Sequence, residues 1–232
     1  MVAIRSFVFH VLFYVWSVVV ALVCTPLLLG PASWTLGMFH VWGRGLVVLL
    51  AICGVRVEVR GREHIPQGPA LVAPKHQCMY DVFAQFTWLP ASVFVMKKEL
   101  NWIPWFGWYA AKVGTIDIDR SGGASALKAM VARAKSLFAK GRQVVIFPEG
   151  TRSRPGAPSD YKPGVAALYR ELGVPVHPVA TNSGVHWQKF LRTPGTIVFE
   201  YLEPIPPGLK RGEFMRLLEE RIETATTKLL PL

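Results

Sequence analysis

At 232 residues the chain has length for one well-filled α/β unit plus an accessory segment, and not for two independent domains. Hydrophobic residues make up 51% of it, which excludes a disordered chain, and its three cysteines, Cys24, Cys53 and Cys78, exclude a disulfide scaffold and offer no zinc-ligand spacing. The formal charge of +11 suits anionic partners: a lipid surface, a phosphorylated substrate, an acidic carrier protein or nucleic acid.

The apolar excess lies at the start. Phe7 to Gly30 holds no charged side chain, and Pro31 to Gly54 holds only Arg44. At about 1.5 Å per residue each segment approaches the roughly 20 residues that cross a hydrocarbon core. Between them Gly30-Pro31-Ala32-Ser33 breaks the helix, so residues 1–54 read as a membrane-embedded helical hairpin and 55–232 as the rest of the fold. Basic residues flank the hairpin (Arg5, then Arg56, Arg60 and Arg62) and none sits at its tip, which places both ends on the cytoplasmic side, the inner membrane in a bacterium. Arg44, Pro26, His10 and His40 interrupt the apolar run, so two full spans and a shallow one-leaflet hairpin both fit. With only Arg5 and Arg44 in the hairpin, residues 55–232 hold 24 of the 26 basic residues and all 15 acidic ones.

Beyond Gly54 short β-rich runs alternate with helical patterns, the rhythm of an α/β fold with a mixed, largely parallel sheet flanked by helices. Strands are expected at Val55–Val59, Ala70–Ala73, Val93–Met96, Val113–Ile118, Val144–Phe147, Val176–Ala180 and Thr196–Tyr201. Helices are expected over 124–140, with Gly141 as its stop, over Ala166–Leu172 before Gly173, and over Phe214–Leu230. The aromatic stretch Trp102 to Tyr109 suits an acyl channel, a membrane interface or ordinary packing.

Two blocks carry chemistry, each after a buried strand. His76 and Asp81 are five apart, a spacing that sets them roughly 140° from each other on a regular helix of about 100° per residue. They meet only if His76 lies in a turn ahead of a helix that carries Asp81. There the carboxylate fixes the imidazole tautomer and leaves the other ring nitrogen to take a proton from a substrate alcohol. Phe147 to Arg154 brings Glu149, a Gly150 turn, Thr151 and two guanidiniums, Arg152 and Arg154, a set that suits phosphate. Together the blocks describe an enzyme that activates a hydroxyl on a phosphorylated substrate. No GxSxG elbow, P-loop or HExxH metal site is present. Cys78, two residues from the base, reads as inert filler, and His177 and His186 as structural.

In these residues the chain resembles the glycerolipid acyltransferases, among them the 1-acylglycerol-3-phosphate (lysophosphatidate) acyltransferases. His76 to Asp81 matches the HxxxxD block, Gly114 to Arg120 the second, Phe147 to Arg152 the third and Val174 to Val179 the fourth, within roughly 56–205. Lys97-Lys98-Glu99-Leu100 and Lys162-Pro163-Gly164 also resemble the family. The resemblance implies transfer of a fatty acyl group from a thioester, on coenzyme A or acyl carrier protein, to the sn-2 hydroxyl of 1-acylglycerol-3-phosphate, without cofactor or metal. It implies His76 as general base, Asp81 as its orienting carboxylate, and Lys97, Arg120, Glu149, Gly150, Thr151 and Arg152 as the acceptor site, with Glu149 orienting Arg120, Arg152 or a glycerol hydroxyl. Lys75 stands where the family usually has Asn or a small polar residue, and is expected to shift substrate preference or add a phosphate contact; Asp117 is a second departure. Expected partners are the lysophospholipid, the donor and membrane lipids, and not nucleic acid. Acylation of another lysolipid, such as a lyso-ornithine lipid, and non-catalytic binding of anionic lipid are the alternatives.

Overall fold

The computed structural model describes residues 1–119 and 122–231. Helices α1 (Val2–Val23) and α2 (Ala32–Ile52) form the hairpin, joined through a 3-10 turn at Thr25–Leu29. Both are long and apolar enough to cross a membrane. One face of each packs on the body of the protein: Phe9, Leu46 and Leu50 have no exposed surface. The opposite face leaves Phe7, Tyr14, Trp34 and Val48 exposed. Gly43 permits the close approach, since a Cβ there would lie 2.2 Å from Thr87 Oγ1.

The sheet has seven strands: β1 (Val55–Arg60), β2 (Ala70–Pro74), β3 (Ser92–Lys97), β4 (Ile116–Ile118), β5 (Gln143–Val145), β6 (Val176–Thr181) and β7 (Gly195–Tyr201), in the order β1-β7-β6-β2-β5-β3-β4. All neighbours are parallel except β6 and β7. Ala70–Pro74 and Gln143–Val145 are buried throughout, as central strands covered on both faces must be. Side chains alternate between two apolar clusters. Leu71, Ala73 and Val144 join α5 (Gly123–Phe138), α6 (Pro163–Leu172) and α8 (Arg211–Leu229) on one face. Val72 and Val145 join the hairpin, α3 (Tyr80–Trp88) and α4 (Phe106–Val113) on the other.

Strand β4 begins three residues later than expected. Val113 ends α4, and Gly114 at φ 86° supplies the left-handed stop that the apolar run conceals. The aromatic stretch opens α4 instead of forming a loop, and β5 stops at Val145, although the Ile146 amide still donates to the Val72 carbonyl.

Strands β2 and β5 are direct neighbours, with Ala70 paired to Gln143. Six residues on from that rung lie His76 on one strand's exit and Glu149 on the other's. The sheet therefore delivers both sequence blocks to one edge.

Candidate active site

His76 lies past the end of β2, and Asp81 in the first turn of α3. The turn predicted from the five-residue spacing brings His76 Nδ1 to 3.0 Å from Asp81 Oδ2. Asp81 is fully buried, and its Oδ2 also accepts the amides of Gln77 at 2.6 Å and Cys78 at 2.8 Å. Its Oδ1 accepts the Ser183 hydroxyl, which arrives on a single helical turn, α7 (Ser183–His186). With its lone pairs engaged by donors, Asp81 holds Nδ1–H facing inward and leaves Nε2 as the acceptor nitrogen. The imidazole stacks on Phe147 at a centroid distance of 4.1 Å, which fixes its plane. Ser183 carries no motif signal; only the return of β6 to the sheet places it here.

Glu149 does not pair with the arginines. It is 3% exposed; Oε2 accepts the His76 amide at 2.8 Å, and Oε1 lies 2.8 Å from Lys75 Nζ. Lys75 is likewise turned away from any substrate: it is 2% exposed and also donates to Glu223 on α8 at 2.7 and 2.9 Å and to Ser159 at 2.6 Å. Tyr161 donates to Glu223 at 2.9 Å, and burial first, then the Glu223 charge, raise the pKa of its phenol. The expected phosphate contact of Lys75 is thus replaced by a buried ion cluster, because the residue before His76 still faces the α6/α8 side of the sheet. Its role is to neutralise Glu149 beneath the His76 turn.

An apolar cavity of about 1000 Å³ opens at His76 and runs between Phe86, Phe94, Leu127, Met130 and Ile146. Gly150, Thr151, Arg152 and Lys97 also line it. Gly150, at φ 65°, closes a turn through its amide to the Phe147 carbonyl at 3.0 Å. Ser153 pins the far side of that loop, its amide and hydroxyl donating to the His76 carbonyl at 2.8 and 3.2 Å. Thr151 and Arg152 between them are exposed. Lys97, 51% exposed, pairs with Glu99 at 3.2 Å. Arg120 lies outside the described residues.

Cys78 is buried, with its Sγ 3.6 Å from Asp81 Oδ1. Burial first, then the Asp81 charge, push its thiol well above the ordinary range, which suits a packing role.

Comparison with known proteins agrees with this geometry. A family model described as Acyltransferase matches residues 56–182. The 1-acyl-sn-glycerol-3-phosphate acyltransferase of Pseudomonas aeruginosa is 35% identical over 202 residues, covering 84% of this chain and 78% of that protein. The enzyme of the same name from Limnanthes douglasii is 33% identical over 72% of this chain and 59% of its own length. The human 1-acyl-sn-glycerol-3-phosphate acyltransferase alpha is 34% identical over 66% of this chain and 56% of its own. The fold is that of the 1-acyl-sn-glycerophosphate acyltransferase crystal structure from Thermotoga maritima, with a TM-score of 0.82 over the whole of both chains at 23% identity. With both sequence blocks meeting at one sheet edge, the chain belongs to the acyltransferase family that holds these proteins.

Proposed function

We propose that the protein transfers a fatty acyl group from a thioester, on coenzyme A or acyl carrier protein, to the sn-2 hydroxyl of lysophosphatidate, giving phosphatidate. The names of the relatives support the acceptor. The observation that carries the reading is the position of the His76–Asp81 pair, where an apolar cavity long enough for an acyl chain meets the Gly150–Arg152 loop.

His76 Nε2 takes the proton of the acceptor hydroxyl as its oxygen attacks the thioester carbonyl, and Asp81 stabilises the imidazolium that forms. Collapse of the tetrahedral species expels the thiolate, which recovers the proton from His76. A thioester is already activated, so no covalent enzyme intermediate is needed. The donor's acyl chain occupies the apolar cavity, and Arg152, with Lys97 and Arg120 as further cations, holds the acceptor's phosphate. The exposed apolar face of the hairpin lies in the cytoplasmic leaflet, so the acceptor keeps its chain in lipid while its hydroxyl reaches His76.

The test is acyl transfer by the detergent-solubilised protein from acyl-coenzyme A and from acyl carrier protein to lysophosphatidate. Phosphatidate is expected from one donor or both, with turnover reduced about 10³-fold or more in His76→Ala. Product from the variant at the wild-type rate would remove His76 as base; no product with either donor would remove lysophosphatidate as acceptor.

A further inference from the structure

His76 lines the acyl cavity, but the three residues after it line a second hollow of about 390 Å³, and Arg152 borders both. One wall of this hollow is α1, through His10, Phe13 and Tyr14; the other is the turn from Trp187 to Arg192. A Trp187–Arg192 bridge and a bond from the Gln188 amide to the Leu191 carbonyl at 3.1 Å close that turn. Arg192 ties it to α1, its amide donating to Ser6 Oγ at 2.9 Å.

The hollow is cationic. His10, Arg152, Lys189 and Arg192 line it, and no Asp or Glu does. Arg192 is 3% exposed and stacks 3.9 Å above the Trp187 ring and 4.9 Å from that of Phe9. Its Nη1 donates to the Gln188 and Leu191 carbonyls, its Nη2 lies 3.4 Å from His10 Nε2, and its Nε has no hydrogen-bond partner. Burial lowers its pKa only to about 10, so it is cationic at neutral pH. Gln77 is also buried; its Oε1 accepts the Gly184 amide, and its Nε2 donor is unpaired. A buried guanidinium held by neutral groups alone is costly, and an anion in the hollow would offset that cost. The rim, in contrast, is apolar: Tyr14 and Phe190 are 64% and 67% exposed and continue the outward face of the hairpin. Charge inside and apolar surface at the lip match a phosphate that carries a hydrocarbon chain.

We propose that this hollow binds the phosphate monoester of the lysophospholipid acceptor, with His10, Lys189 and Arg152 as direct contacts, Arg192 as a fixed positive charge, and the acyl chain leaving over Tyr14 and Phe190 into the bilayer. The assignment rests on the acyl-transfer reading for the word acceptor and refines it: donor and acceptor occupy different hollows and meet at Arg152 and the His76 turn. Residues that belong to none of the sequence blocks then set acceptor affinity.

The experiment is equilibrium binding of lysophosphatidate in nonionic detergent to the wild-type protein without donor, and to Lys189→Gln and His10→Gln. Lys189 is exposed, so its replacement leaves the fold in place. Affinity is expected to fall about fivefold in each and further in the double variant. Lysophosphatidylcholine, which lacks the monoester, is expected to bind more weakly than lysophosphatidate, and equimolar inorganic phosphate is expected not to displace the lipid. Unchanged affinity in both variants overturns the proposal; so does equal binding of the choline lipid, and displacement by phosphate assigns the site to the free anion instead. Turnover separates the two readings: binding as expected without phosphatidate formation sinks acyl transfer and keeps the site, whereas phosphatidate formation with binding indifferent to both variants does the reverse.

Discussion

Asp81 has no exposed surface and accepts hydrogen bonds from His76, Gln77, Cys78 and Ser183, whereas Thr151 and Arg152, a few ångströms of loop away from the Phe147 ring that His76 stacks on, stand in solvent with only Gly150 and Ser153 anchoring their turn. The groups proposed to move a proton are over-determined; those proposed to hold a headgroup are not. The difference follows from what each must do. Proton transfer tolerates little displacement of the base, while capture of a phosphate gains from long side chains that reach and adapt.

Asp81→Asn tests the rigid half with the largest effect: an amide replaces an acceptor that faces only donors, and kcat is expected to fall about 10³-fold with the acceptor KM within about threefold. A loss of similar size from Arg152→Ala would break the contrast. Next comes Glu223→Gln, which leaves Lys75 buried with less compensating charge. A loss of about 2 kcal/mol is expected, or about 5 °C in Tm at this chain length, read by thermal unfolding. Lys75→Met combined with Glu223→Gln is expected to recover part of it, and no recovery would show that the cluster does not act as a unit. Arg152→Ala is expected to raise the acceptor KM about tenfold and leave kcat nearly unchanged, measured with the thioester saturating. Smallest is Cys78: with its thiol pKa raised in the folded state, alkylating reagents at pH 8 meet a neutral, buried sulfur, so turnover is expected to survive them until the protein unfolds. Loss of turnover before unfolding would place the thiol within reach of the site.

The blocks that read clearly in sequence are those whose partners are close along the chain. The His76–Asp81 turn follows from a five-residue spacing, and the seven strands from apolar runs, because both signals are local. Strand β4 was obscured by Val113, an apolar residue equally at home at the end of α4. Lys75 shows the opposite case. Its identity beside His76 suggests substrate contact, but its partner Glu223 is 148 residues away, and only the packing of α8 against the sheet reveals it. Ser183 escapes for the same reason, its hydroxyl meeting Asp81 across 102 residues. Glu149 was placed in the right loop and given the wrong partner, since a carboxylate beside arginines reads as an ion pair until the strand register sets it against the His76 amide.

That register has a consequence for how the chain can change in length. His76 and Glu149 each stand six residues from the Ala70–Gln143 rung, so their meeting depends on two short offsets and not on the chain between them. Residues joined to the surfaces of α3, α4 or α5 would lengthen the protein and leave the bond from the His76 amide to Glu149 where it is. A single residue inserted between Val145 and Glu149 would move the carboxylate by about 3.3 Å along the strand direction and turn it to the other face. The spacing that protects the site is counted from a rung of the sheet, and the distance between the motifs along the sequence is free to drift.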